Sequence, residues 1–262
     1  MRIASRHLTA VLAFASVLPT AQRAAAEQIF EAEYAIDYLG LTVAKSSFVT
    51  AVADTYFNMY GTISSTGLAK FFDSTKGTTK ASGYFGAGGV SPISYSVDYT
   101  YGKKAKKTAL GYTNGAISQV DNMPALPERR QGWVGVAEKD FKGAVDPLSA
   151  TLIRTGDRNK VCNRTVRIFD GEIRADIVLT PSAATPAEVP GAGKGVACSA
   201  RFVPVGGYYS ANASLDYLRN KSRVDITFAP LGKTGVYAPV HASVGTKFGT
   251  VTIRARRLKT SQ

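Results

Sequence analysis

The sequence predicts a mainly β protein: a single antiparallel sheet, rolled or half-closed like a barrel, with a few short helices. Three observations predict it. Apolar and polar residues alternate with period two over most of the chain, turn dipeptides punctuate the alternation, and helix-like spacing is scarce. Many short strands in one unit must close or roll up, because a long exposed edge would pair with other chains. A half-barrel with helices plugging its concave face, a closed barrel and a sandwich all meet that requirement.

The chain begins with Arg2, Arg6 and His7, then an apolar run from Leu8 to Leu18, then Ala24-Ala25-Ala26 before Glu27. That is the order of a secretory signal, here cut after Ala26. The run is shorter than the roughly 20 residues a spanning helix needs. The expectation is a signal peptide over residues 1–26 and one β-rich periplasmic domain over 27–262. Losing Arg2, Arg6 and Arg23 lowers the net charge from +13 to +10. An excess of that size favours anionic partners: a lipid surface touched peripherally, a phosphorylated glycolipid, an anionic polysaccharide. Nucleic acid fits the charge but not the compartment.

From the start of this domain, Phe30, Ala32, Tyr34, Ile36 and Tyr38 alternate with Glu31, Glu33, Ala35 and Asp37, the pattern of a half-buried strand. Strands are expected next at 41–53 and 55–65. In "ISYSVDYTY" Ile93, Tyr95, Val97, Tyr99 and Tyr101 share a face, and further strands are expected near 104–112, 116–121, 223–229, 235–244 and 248–256. Asn114-Gly115 and Asp170-Gly171 are pairs that supply the positive φ of tight hairpins. "DPLSATLI" offers Asp146 as N-cap, Pro147 at the first helical position and a Leu148, Leu152, Ile153 stripe. Weaker helical patterns cover 66–74 and 210–220, and "PSAATPAEVPGAGKG" (181–195) reads as a loop.

"CNRTVRIFDGEIRADIVL" (162–179) is the most charged of these stretches. A two-residue loop at Asp170-Gly171 sets Ile168 opposite Ile173 and Val166 opposite Ala175, with Arg167, Phe169, Glu172 and Arg174 on the solvated face. Arginines gripping an anion are the alternative use of that face. Cys162 and Cys198 are the only cysteines, so in an exported chain they are expected to form a disulfide. A plain meander would separate them by two inter-strand steps, about 9.6 Å, more than the 4.4–6.8 Å or so that a bridge spans. The disulfide therefore requires a bulge, tight curling, or folding over of the 154–163 segment.

The chemistry-bearing residues are few. His241 is the only histidine after residue 26, which removes multi-histidine zinc sites, and no C-x-x-C, H-E-x-x-H or G-x-S-x-G spacing occurs. "GAGGV" (86–90) and "GAGKG" (191–195) match no nucleotide fingerprint. No catalytic residue, metal site or cofactor is expected. Two binding candidates remain: a lysine cluster, Lys103, Lys104, Lys106 and Lys107, and an aromatic wall of Tyr34, Tyr38, Tyr95, Tyr99 and Tyr101. Each also reads blandly, as a solvated turn and as ordinary core.

"EAEYAIDYLGLTVAKSSF", "DPLSATLI", "CNRTVRIFDGEIRADIVL", "ACSARFVPVGGYY" and "VYAPVHASVGTKFGTVTI" follow one another in an order that resembles an exported bacterial family, domain of unknown function number 3108. The resemblance implies a periplasmic, disulfide-containing β domain and carries no active site with it. Members look similar in style to rolled-sheet carriers of lipoproteins, a fold analogy. Three readings follow: a non-catalytic envelope protein holding a lipid or amphiphile in a curved sheet, a cavity-free scaffold binding polysaccharide or protein, and a hydrolase built on scattered carboxylates.

Overall fold

The computed structural model describes residues 27–67, 74–86 and 88–261. Its strands are β1 (Gln28–Tyr38), β2 (Leu41–Val52), β3 (Tyr56–Ser65), β4 (Thr75–Gly86), β5 (Gly89–Tyr101), β6 (Lys104–Thr113) and β7 (Ala116–Met123). They continue as β8 (Trp133–Val134), β9 (Ile153–Arg154), β10 (Arg164–Phe169), β11 (Arg174–Pro181), β12 (Val196–Gly206) and β13 (Tyr208–Tyr209). The last three are β14 (Val224–Pro230), β15 (Val236–Thr246) and β16 (Gly249–Ser261), and a helix α1 (Ala213–Asn220) precedes them. One antiparallel sheet runs β10-β11-β12-β14-β15-β16-β1-β2-β3-β4-β5-β6-β7, with β9 added on β15 and β8/β13 forming a separate pair. The N-terminal strand thus lies at the centre, paired with the C-terminal one.

The sheet curls without closing, since β7 and β10 do not pair. The segment 142–145 lies in the seam, bridging Ala116 through Lys142 and Ile168 through Val145. Asn122 adds a side-chain bond to the Gly171 carbonyl across the same gap (3.0 Å). The expected rolled sheet is therefore what forms.

Curvature has a local cause on the concave face. Three glycines there face aromatic rings across the ladder: Gly61 opposite Phe48, Gly83 opposite Phe57, Gly77 opposite Tyr99. A Cβ on Gly61 would lie 2.4 Å from the Phe48 ring, so the ring occupies the space a side chain would need. Aromatic side chains covering strand glycines let a sheet bend tightly while staying packed. This also explains why β4 escapes the sequence pattern: its inward positions are Gly77, Thr79, Ala81 and Gly83, small residues that give no apolar alternation.

Other expectations are corrected. "DPLSATLI" makes only a single 3₁₀ turn, Ser149–Thr151, because Leu152 turns extended and Ile153–Arg154 joins β15 as β9. Asp146 still caps it, its Oδ1 accepting from the Leu148 and Ser149 amides (3.0 and 2.7 Å). Residues 68–73 of the 66–74 helix pattern lie outside the described residues. The 210–220 pattern is borne out in part as α1, with Asn212 capping Ser214 and Leu215. Ile93 leaves the aromatic face and is exposed, because it is the extra residue of a bulge where Ser82 pairs Ser94 and Gly83 pairs Pro92.

The charged hairpin is shifted by two residues from its expected register: Ile168 pairs Ala175 and Val166 pairs Ile177. Asp170 accepts from the amides of both Glu172 and Ile173, which widens the turn to four residues. Phe169 and Arg174 are buried rather than solvated, because their face of the hairpin is covered by the 138–145 segment, whose Phe141 ring meets Phe169 edge-on. The Arg174 guanidinium bonds Asp176 (2.6 Å) and the Asp140 carbonyl (2.9 Å), which satisfies its charge inside the protein.

Cys162 and Cys198 form the disulfide, with Cα atoms 5.6 Å apart. Of the three routes to it, the chain takes the folding-over of 154–163. A 3₁₀ turn at Arg158–Lys160 and a left-handed Asn163 (φ 58°) bring Val161 and Cys162 over the end of β11. There they pack with Leu179, Cys198 and Phe228 as a second core.

The main core fills one end of the roll. Val52, Phe57, Leu110, Leu152, Phe169 and Val236 are all buried in it. Leu148 and Leu152, from the segment after the seam, plug the concave face as helices were expected to do.

Candidate functional site

Between that plug and the opposite end of the roll lies a cavity of about 390 Å³. Its wall is built from the inward positions of the central strands: Ala32, Tyr34 and Ile36 of β1, Phe48 of β2, Gly61 and Ile63 of β3, and Ile253 of β16. Leu148 and Thr151 of the plug form its floor. The space exists because small residues line a tightly curved wall, while the rings opposite the glycines stay folded against it. Ile63 is an inward residue yet 36% exposed, which marks where the wall meets solvent.

The lining is apolar apart from hydroxyls such as Ser46, Thr50 and Thr78, and its ionisable residues are Tyr34 and Lys259. Tyr34 is held in place: its hydroxyl donates to the Pro239 carbonyl (2.8 Å) and its ring meets Phe48 edge-on, centroids 5.7 Å apart. Burial raises its pKa to about 12, so it stays neutral at physiological pH. A wall of this kind suits an extended apolar ligand and supplies no acid–base pair. A second, more open hollow of about 560 Å³ is lined by Glu33, Lys45 and Arg256 among others.

Of the sequence-predicted tyrosines, the structure brings only Tyr34 to the cavity wall. Tyr95 is buried in the main core, where burial raises its pKa to about 12. Tyr99 pairs directly with Gly77, and its Cβ lies 2.7 Å from where a Gly77 Cβ would stand. Tyr38 donates to the Phe248 carbonyl at a hairpin tip (3.0 Å), and Tyr101 is 53% exposed at another. Lys103, Lys104, Lys106 and Lys107 lie on and beside the exposed β5–β6 turn, away from the cavity, with Lys107 paired to Asp98 (2.8 Å). The hairpin arginines Arg164 and Arg167 bond to the carbonyls of Lys160 and Lys142. Sequence reasoning missed Phe48, Gly61 and Ile63; a ring directly opposite a glycine on the neighbouring strand is a signal only once the pairing is known.

Two further groups carry chemistry. His241 is half-buried beside Arg254, and burial followed by that positive neighbour lowers its pKa, so it is neutral at pH 7. Asp37, on the same outer face, receives the Thr42 hydroxyl and the Arg254 guanidinium (2.6 Å each), which hold its carboxyl below the usual range. Inside the core, Asp146 Oδ2, Ser149 Oγ and Tyr112 Oη are buried without partners. Burial pushes the Asp146 carboxyl up, and Tyr112 is pushed up by burial and then by the Asp146 charge. Both Asp146 and Ser149 are 0% exposed, so no substrate reaches this cluster as it stands. Among the described residues no group of three His, Cys, Asp or Glu side chains could hold a metal ion.

Asp146 gives a pH prediction. Its folded pKa is raised, so its contribution to stability is fully present below the unfolded carboxylate pKa and is lost as pH rises through the folded value. Asp146→Asn keeps the capping oxygen and offers an amide to Ser149 and Tyr112. It is expected to raise stability at pH 8 by about 1–2 kcal/mol and to change it less at pH 4. Urea titrations at both pH values check this; a variant destabilised equally at both would contradict it.

Among the described residues no helix is long and apolar enough to cross a membrane. In sequence, no curated protein matches the chain. In structure it is similar to a β-barrel-like protein of domain of unknown function DUF1849 from Brucella abortus, at 7% identity and TM-score 0.42, over 90% of this chain and 98% of that one. It is also similar to a hypothetical protein from Chlamydia trachomatis, at 11% identity and TM-score 0.35, over 87% and 86% of the two chains. The model of one family, described as protein of unknown function (DUF3108), matches residues 33–256, from the first strand through the last, and the chain belongs to that family.

Proposed function

We propose that this protein is a non-catalytic, exported envelope protein that holds the acyl chain of a lipid or similar amphiphile in the hollow of its curved sheet. The observation that carries the reading is the cavity. Its volume of about 390 Å³ lies within the roughly 300–1,000 Å³ typical of ligand sites. Its lining is apolar with a few hydroxyls, and a hydrocarbon chain gains about 0.8 kcal/mol per buried CH₂. Export rests on the secretory order of residues 1–26, and the anionic character of the cargo headgroup on the net charge of +10 left after Arg2, Arg6 and Arg23 are removed from the total of +13.

The test is displacement of a fluorescent fatty-acid analogue, alongside native mass spectrometry of the gently purified protein. Ala32, on the wall between Phe48 and Leu258, is the place to fill the space. Ala32→Trp is expected to weaken uptake about tenfold or more while leaving the melting temperature within a few degrees. Uptake unchanged in that variant, or no uptake by the parent, overturns the reading and leaves a scaffold without a ligand.

A further inference from the structure

Antiparallel pairing places the β1–β2, β5–β6, β10–β11 and β15–β16 turns and the end of β7 at one rim of the roll, opposite the filled core. The four most exposed large apolar side chains among the described residues all lie there: Phe248 (75%), Met123 (68%), Leu39 (67%) and Leu41 (64%). Two of the tips touch. The Tyr38 hydroxyl bonds the Phe248 carbonyl, and the Leu39 side chain sits against Gly249. Leu39, Leu41 and Phe248 therefore form an exposed apolar cluster spread over two adjoining tips.

Folding does not account for that cluster. Leu39 has φ +50° and is followed by Gly40 at +81°, the left-handed pair of a type I′ turn, where Asn-Gly is preferred. A leucine there costs backbone energy and, mostly exposed, recovers little by burial. A residue that breaks its local rule without a packing gain points to a role outside the fold.

The rim is also basic. Lys103, Lys104, Lys106, Lys221 and Lys247 are exposed there and form no ion pair among the described residues, and Lys247 lies beside the Phe248 ring. Among the described residues, acids near this rim are paired with other cations: Asp37 with Arg254, Asp98 with Lys107, Glu172 with Arg129, Asp216 with Arg219 and Asp225 with Arg223, while Asp170 accepts backbone amides. Apolar tips projecting from a field of unpaired lysines are complementary to a negatively charged bilayer, where the tips enter the headgroup–acyl boundary and the lysines meet phosphates.

We infer that this rim docks on the surface of an anionic lipid bilayer through Leu39, Leu41 and Phe248, with the lysines supplying charge selectivity. The inference stands on exposure and charge and does not require the cavity to hold a ligand. Co-sedimentation of the purified protein with vesicles tests it. Binding is expected with mixed phosphatidylglycerol–phosphatidylcholine vesicles, to weaken with added salt, and to be far weaker with phosphatidylcholine alone. The double variant L39N/F248S is expected to bind about tenfold less while unfolding no more easily than the parent, since asparagine suits the turn. K103E/K104E is expected to lose binding to the anionic vesicles. No sedimentation with anionic vesicles, equal binding to both vesicle types, or full binding by L39N/F248S overturns the inference. Fatty-acid displacement measured on the same variants separates this failure from failure of the cavity reading.

Discussion

Replacing Gly207 with alanine is expected to destabilise the protein by about 3–5 kcal/mol, the largest single-residue effect anticipated. Two terms combine. Gly207 has φ +83°, where a side chain is strained. In addition, an added Cβ would lie 1.7 Å from the Glu172 carbonyl oxygen and 2.9 Å from the Ile173 Cα. Both are backbone atoms of the β10–β11 turn and cannot swing aside as a long side chain would. On the other side Gly207 donates to the Val134 carbonyl (2.7 Å), and a Cβ on Gly206 would meet Gly135 O at 2.4 Å. The glycine pair is thus wedged between two backbones. Gly102→Ala is the control: φ is also positive (56°), but nothing lies within 4 Å, so the cost is expected to be about 1 kcal/mol. Urea midpoints for the two variants check the argument, and equal midpoints would refute the steric half of it.

Removing the disulfide is expected to cost about 3–4 kcal/mol in the Cys162→Ala/Cys198→Ala variant. The bridge joins residues 36 apart in sequence. Most of its effect comes from restricting the unfolded chain, which grows with loop length. Both residues are almost fully buried in the second core, with Val161, Leu179 and Phe228 around them. Reduction of the native protein should therefore be slow until it unfolds, and chemical denaturation with and without reductant should give separate midpoints. Coincident midpoints would mean that packing of the second core alone holds the 154–163 segment in place.

Much of the sheet is legible in the sequence because each half-buried strand carries its own period-two pattern. The first strand, the Asn114-Gly115 hairpin (both residues at positive φ) and the three last strands agree with expectation to within a few residues. The failures have physical causes. β4 has no apolar face because its inner positions are taken by glycine, threonine and alanine beneath rings from neighbouring strands. The β10–β11 register depends on one carboxylate oxygen accepting two amides, a choice that widens a turn which the Asp-Gly pair alone would leave at two residues. The 146–153 pattern satisfies every local helix rule, but β15 offers Ile153 and Arg154 backbone partners, and strand pairing there displaces the second helical turn.

By itself the sequence determined the fold class, the pairing of its two cysteines, the family, and the absence of local motifs for metal or triad chemistry, since these depend on residue types and short spacings. Only the tertiary structure decided which residues face the cavity, which tyrosines are core, and which hairpin tips share a rim. Those depend on strand order and on bulges such as the one at Ile93, each of which transfers every later side chain to the other face.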